Sequence, residues 1–557
     1  MLTKFNLIQK QKTKTNIKSK KKNKTKSKKS SKIIKKSKKN INEVGLLSNG
    51  MKFFVKEIDT QKETSIILLV KTGSINEGKY QGLSHLLEHL LFTGTKTYSN
   101  SQKLTAEFEK SGSRINAYTD QETTGYYITC HHSKISKTLK LLGEMIKETN
   151  LETYRIHNEK KIVENEIKYR QDKIDGYVHK LLLKTLLKKT EYGGVVIGTP
   201  ETLSKIEKYH LHAYLISRYK PENMTIGLIG RCGNYNFKDI LEQMNDNFGS
   251  RDLTKHYQFH KGLFKYKEYL EALKYFNQIN KKQFNNYSSI QKKINYSFQN
   301  LKINSKLVYV NIVFNGLGII ERTQKDQNNQ DLLDFIIDYL DLGMSSKLFE
   351  TIREEHFLVY NIGCKNIKFS SFGFINIKYS IIQDLELIQK SINIVFQILH
   401  KLKTELLETK TIKNIYNKNQ NRKKTKNLKI TDIGIKKAEF ILHNNIKTKF
   451  FKENYLSKAL TIIDDNDLKT KKNKQSLHPF KSSTNGNYKQ SLHPFKSSTS
   501  DNNKQSKKNN KKEDTSYLLN NKDIMEFSKV LFDKKTMSLI ILSPNKIKAT
   551  DLKLDDF

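Results

Sequence analysis

In the stretch SHLLEHLLF, residues 84–92, two histidines and a glutamate, His85, Glu88 and His89, stand inside an apolar run. On a helix, positions i and i+4 share a face and i+3 lies beside them. The three side chains would therefore project within an arc of about 100°. Two imidazoles at that spacing can hold one zinc ion. The carboxylate between them can then take a proton from a water at the metal. A catalytic zinc also needs a third protein ligand and an open position for water. The alternative is a core helix whose histidines are hydrogen-bonded. With 15 histidines in the chain, the motif alone leaves the two readings level.

The surrounding elements must position that helix. LLSNGMKFFVKEI turns at Asn49-Gly50 into a strand, and TSIILLVKTGS supplies a second strand, largely buried. SNSQKLTAEFEKSG opens on cap residues and closes on Gly112, a capped helix. SRINAYTD and ETTGYYITCHH alternate as a strand pair. Residues 133–149 and 156–187 read as helices, ENMTIGLIG as a strand and 236–248 as a helix. A second run follows: strand KLVYVNIVFNG, helix 328–356, strand FGFINIKYSII and helix 384–405. LHAYLISRYKPENMTIGLIG and FSKVLFDKKTMSLIILSP share one pattern of amphipathic helix, basic turn and apolar strand. That pattern points to an internal duplication of about 200 residues per copy.

The segments outside this rhythm set the domain plan. Residues 1–43 form a basic tail, and its first 40 residues hold no acid and no arginine, a composition that cannot bury a core. Residues 44–250 form a first domain, 251–300 a basic linker or insertion, and 301–557 a second, related domain. KQSLHPFKSST occurs at Lys474–Thr484 and again at Lys489–Thr499, within a disordered insertion at about 465–515. His478 and His493 repeat with it.

Composition narrows the function classes. The formal charge is +45, from 101 Lys+Arg against 56 Asp+Glu, which admits polyanion contact. The tail that carries much of that charge has only Phe5 to stack on a base, so nucleic-acid binding through residues 1–40 is the lesser reading. Cys130, Cys232 and Cys364 are far apart and odd in number, which fits neither a disulfide framework nor a CxxC site. A reducing, intracellular compartment follows, the cytoplasm before the mitochondrion or the nucleus. No run of 18 apolar residues exists, so no membrane span is expected.

HLLEHLLFTGT resembles the core motif of the pitrilysin/insulinase family of HxxEH zinc metallopeptidases, particularly mitochondrial-processing-peptidase-like and small bacterial members. In that family the third zinc ligand is a glutamate that follows the second histidine after 76 intervening residues, and Glu166 stands there. The family's further glutamate, seven residues earlier, matches Glu159, which the resemblance places behind the ligands. GSRINAYTDQETTGYY resembles the strand that pairs with substrate, so Asn116 and Ala117 would bond an extended peptide. GMSSKLFETIREEHFLVYNIG resembles the motif whose arginine and tyrosine reach the substrate from the second domain, here Arg353 and Tyr360. Without the resemblance, each of these would be an ordinary helix or strand residue.

The resemblance implies an α+β fold of two related domains, each a mostly antiparallel sheet packed with helices. One zinc ion per chain would be held by His85, His89 and Glu166. Glu88 would act as general base, and Tyr360 and Arg353 would serve the oxyanion and the peptide backbone. Substrates would be short or unfolded polypeptides, and the two halves would close around them. The chain would work as a homodimer or as a heterodimer with a related subunit. The rival reading is a catalytically silent core subunit of a peptidase complex.

Overall fold

The computed structural model describes residues 41–171, 174–251, 253–258, 265–283, 297–320, 323–425, 430–444, 446 and 519–553. The basic tail up to residue 40, the repeat-bearing stretch 465–515 and parts of the 251–300 segment lie outside them.

The first half opens on strands β1 (Asn42–Leu46) and β2 (Lys52–Glu57), paired antiparallel across a turn where Gly50 takes φ +88°. Strand β3 (Glu63–Val70) is buried at all but its first residue, as its unbroken apolar run requires. Helices α1 (Leu83–Leu91) and α2 (Ser101–Lys110) follow. The Asn100 side chain caps α2 by accepting from the Lys103 N–H. Then come β4 (Arg114–Thr119), β5 (Thr124–His131), α3 (Ile135–Lys147), α4 (Thr153–Gln171) and α5 (Ile174–Leu186). The helix expected over 156–187 is thus two elements. Helices α6 (Pro200–Ser204) and α7 (Lys208–Arg218), β6 (Met224–Gly230) and α8 (Phe237–Phe248) complete the half.

Helix α9 (Tyr266–Gln283) lies within the expected linker, but it is not a spacer. Tyr269, Ala272 and Phe276 repeat at helical spacing and bury themselves in the first core against α7. The Lys, Asn and Gln around them hid that stripe.

The second half holds β7 (Phe298–Lys302), β8 (Leu307–Gly316), α10 (Gln324–Asp341), β9 (Ile362–Lys368) and β10 (Gly373–Ile382). After these come α11 (Leu385–Thr404), α12 (Thr409–Thr425), α13 (Ile430–His443), α14 (Asn521–Leu531) and β11 (Ser538–Ser543). The helix expected over 328–356 is broken at Gly343, which takes φ +78°, and resumes as a π-helical stretch, Phe349–Glu355.

The sheets prove the duplication. The first has the order β1-β2-β6-β3-β5-β4 and the second β7-β11-β8-β10-β9. Without β1 the two wirings are identical: β2 matches β7, β3 matches β8, and so on to β6 and β11. Each has one parallel pair, β2 with β6 and β7 with β11, and is otherwise antiparallel. The fold is α+β in two related domains, as expected.

Each half also lends a helix to the other. Leu182, Leu183 and Leu186 of α5 share a buried cluster with Val313, Phe374, Ile540 and Leu542 of the second sheet. Ala438, Ile441 and Leu442 of α13 pack on Phe54, Ile67, Leu69 and Ile229 of the first sheet. A Cβ at Gly434 would meet Ile67 Cδ1 at 2.4 Å and Ile229 Cγ2 at 2.8 Å, so a side chain there would force those residues aside. Lys52 Nζ donates to the carbonyls of Ile441, Leu442 and Asn444 at 2.8–2.9 Å and caps the end of α13. The β4–β5 and β9–β10 turns, equivalent in the two wirings, also meet. The Glu122 carboxylate accepts from Ser370 N, Ser370 Oγ and Tyr192 OH, each at 2.6 Å. Among the described residues, no helix is long and apolar enough to cross a membrane.

Candidate metal centre

Gly82 caps the start of helix α1, where φ is +92° and a Cβ would strike the Ile197 carbonyl oxygen at 2.8 Å. The buried Glu77 carboxylate accepts from Gly82 N at 2.7 Å and Ser84 N at 2.6 Å, and so holds the first turn. Burial pushes Glu77 up to about 7. Leu83, Leu86, Leu87, Leu90 and Leu91 sink into the first core. That anchoring turns His85 and His89 toward α4, which brings Glu159 and Glu166.

Three donor atoms converge there. His85 Nε2 lies 3.6 Å and His89 Nε2 3.5 Å from the same oxygen, Glu166 Oε2. Among the described residues this is the one group of three such side chains whose donor atoms lie within 4.8 Å of one another. Four ligands about 2.0–2.1 Å from a zinc ion stand roughly 3.3–3.4 Å apart at tetrahedral angles. The two separations to Glu166 Oε2 lie slightly above that spacing. Among the described residues, the buried His85 Nδ1 atom finds no hydrogen-bond partner. His89 Nδ1 lies 3.2 Å from Glu159 Oε2, which fixes the ring and leaves Nε2 for the shared point.

The electrostatics favour a cation. Burial, helped by nearby His89, depresses His85 to about 4, so it is a neutral donor at pH 7. Burial also works against charge on His89, but hydrogen bonds to Glu159 and Glu166 outweigh it and raise His89 to about 9. The hydrogen bond from His89 holds Glu166 down at about 2. The carboxylates thus stabilise positive charge here, on a histidine or on a metal among the three donors.

Glu88 lies on the same helix. Thr119 Oγ1 donates to its Oε2 at 2.6 Å, and burial raises its pKa above the usual carboxylate range. The turn at Thr119 belongs to β4, the edge strand of the first sheet. Asn116 and Ala117 lie on that edge. The Ala117 N–H is held at 2.8 Å by the Asn116 side-chain oxygen, so a peptide pairing there must displace it.

Arg353 and Tyr360 are not brought to this cluster. The Arg353 guanidinium lies between the Phe349 and Tyr360 rings, 4.6 and 4.9 Å from their centroids, and Tyr360 is 82% exposed. Among the described residues no hydrogen bond or ion pair joins either to the histidines, Glu88 or Glu166. Three further residues of the site, Glu77, Thr119 and Arg170, escaped the sequence reading. Their roles arise from tertiary contacts that no local spacing announces.

The sequence places the chain in a peptidase family. Residues 52–200 match the insulinase family, Peptidase family M16, and residues 205–417 match the Peptidase M16 inactive domain. The chain belongs to this family. It is 26% identical over 330 residues to an uncharacterized zinc protease, YmxG, of Bacillus subtilis, covering 59% of this chain and 71% of that one. To the mitochondrial-processing peptidase subunit beta of Dictyostelium discoideum it is 25% identical over 215 residues, 38% of this chain and 45% of the other. A crystal structure of a protease from Helicobacter pylori superposes with TM-score 0.61 at 16% identity, covering 91% of this chain and all of the other, a likeness of fold.

Proposed function

We propose that this chain is a zinc-dependent endopeptidase acting on short or unfolded polypeptides. The observation that carries the reading is the convergence of His85 Nε2 and His89 Nε2 on Glu166 Oε2 at 3.6 and 3.5 Å. Those three side chains would hold the ion, and Glu159 would fix the His89 ring. Zinc in that place supplies Lewis acidity toward a peptide carbonyl and acidifies a water.

The remaining work falls to the chain itself. Thr119 immobilises Glu88 Oε2 and leaves Oε1 to take the proton of the attacking water. The raised Glu88 pKa makes it a better base near neutral pH, and the same oxygen can return the proton to the leaving amine. The free edge of β4 aligns an extended peptide by strand addition, with Asn116 and Ala117 as its first contacts.

Tyr360 would donate to the oxyanion and Arg353 would hold the peptide backbone. The exchanged helices and the Glu122 contact join the two halves, which speaks against closure within one chain. Pairing with a second, related chain, as homodimer or heterodimer, is the arrangement this supports.

The test is cleavage of a mixed quenched-fluorescent peptide pool by the full chain, beside Glu88→Gln and a chelator-treated, zinc-restored sample, with zinc quantified in each. Turnover that requires both Glu88 and zinc is the expected result. One zinc per chain with no turnover would favour the silent core-subunit reading. No zinc uptake would end the metallopeptidase reading.

A further inference from the structure

Arg170 stands one turn beyond Glu166 on α4, and its guanidinium does more than neutralise a neighbour. Nε and Nη2 both donate to a single oxygen, Glu166 Oε1, each at 2.6 Å. The other oxygen, Oε2, is the one that faces both histidines. The carboxylate is thus divided: one oxygen is held by a cation and the other is presented to the donor cluster.

A catalytic zinc site keeps one position open, and a carboxylate ligand can close it by binding through both oxygens. We infer that Arg170 is a positioning residue that keeps Glu166 a one-oxygen ligand and so preserves the fourth position for water. The inference rests on the zinc reading of the cluster. Two charge-assisted bonds converging on one oxygen favour that orientation. The plain alternative is a surface ion pair at i,i+4 spacing, since the Arg170 side chain is 60% exposed. Such a pair contributes little to stability and nothing to coordination.

The experiment compares the full chain with Arg170→Gln and Arg170→Lys. Each is stripped of metal and loaded in parallel with Zn²⁺ and with Co²⁺. Co²⁺ reads coordination directly, because the position and intensity of its visible bands change with the number, kind and geometry of its ligands. For Arg170→Gln the expected result is a Co²⁺ visible spectrum that differs from wild type in band position or intensity, with one metal still bound per chain, because the second carboxylate oxygen replaces or joins the water. In the zinc form kcat should fall about tenfold or more, with KM within about twofold, on the peptide best cleaved from the pool. Arg170→Lys should recover part of both, because it keeps the charge but not the double bond to Oε1. An Arg170→Gln spectrum and kcat equal to wild type would overturn the inference. So would a loss confined to KM, which would make Arg170 a substrate contact. Wild type that takes up neither metal overturns the zinc reading itself, an outcome distinct from a loaded variant that behaves like wild type.

Discussion

The two halves share one five-strand wiring but fill one connection of it differently. Between β3 and β4 the first half places α1, with two histidines and a glutamate on one face. Between β8 and β9 the second half places α10 and the π-helical stretch, with Arg353 between two aromatic rings. The sheets, their parallel pairs and the helix each lends to the other are the same in kind. The framework therefore imposes position and leaves chemistry to the connections, with the HxxEH motif between β3 and β4 and Glu166 between β5 and β6. The second half matches the inactive domain of the family, and its connection between β8 and β9 is where it lacks the HxxEH motif.

The comparison breaks most severely if both halves bind metal. His85→Ala should remove the bound zinc altogether and abolish peptide turnover, with wild type carrying one zinc per chain by elemental analysis. Residual zinc in the variant would place a second site elsewhere.

Glu88→Gln comes next. It should lower kcat by about 10²–10⁴-fold while zinc content stays at one per chain, because the amide keeps the shape but cannot accept the proton. A fall in zinc content together with rate would make Glu88 structural instead.

The exchanged helices give a symmetrical test of smaller size. Leu183→Ala in α5 and Ile441→Ala in α13 each remove a buried side chain from a contact between halves. Each should cost about 2–4 kcal/mol, read as a shifted denaturant midpoint. A cost in one and none in the other would show that the exchange matters on one side only.

The smallest effect sharpens the contrast between the two connections. Helix α10 is capped by Thr323, whereas α1 is held by the ionisable Glu77. Burial raises Glu77 to about 7 from the usual 4.5. Between those values the folded chain keeps it neutral while the unfolded chain ionises it. Its contribution is therefore full below pH 4.5 and is lost as pH rises through 7. Glu77→Gln cannot titrate, so its stability relative to wild type should improve across that window, by about 1–3 kcal/mol. A pH-independent difference would assign the folded-state proton elsewhere.

Local patterns were legible and tertiary ones were not. The i, i+3, i+4 spacing of His85, Glu88 and His89 placed them on one helix face, as found. Glu159 and Glu166 look like ordinary helix residues, and only a fixed spacing from the motif singled them out. Thr119 on Glu88, Arg170 on Glu166 and the Glu122 contact with Ser370 depend on strands and helices meeting in space. The exchange of α5 and α13 was equally invisible, since an amphipathic helix does not say which sheet it will cover. Helix α9 was missed for a different reason: its apolar stripe was present but diluted by lysine and asparagine.

The helix that α13 lends to the first sheet also orders events during synthesis. Phe54, Ile67, Leu69 and Ile229 are all translated by the time β6 is complete, yet their cover begins at residue 430, roughly 200 residues later. At about 5–20 residues per second the ribosome leaves that sheet face bare for roughly 10–40 s. Over that interval the nascent first half presents an uncovered apolar sheet to the cell, which makes this face a natural point of attachment for a chaperone and the place where a truncated chain would aggregate.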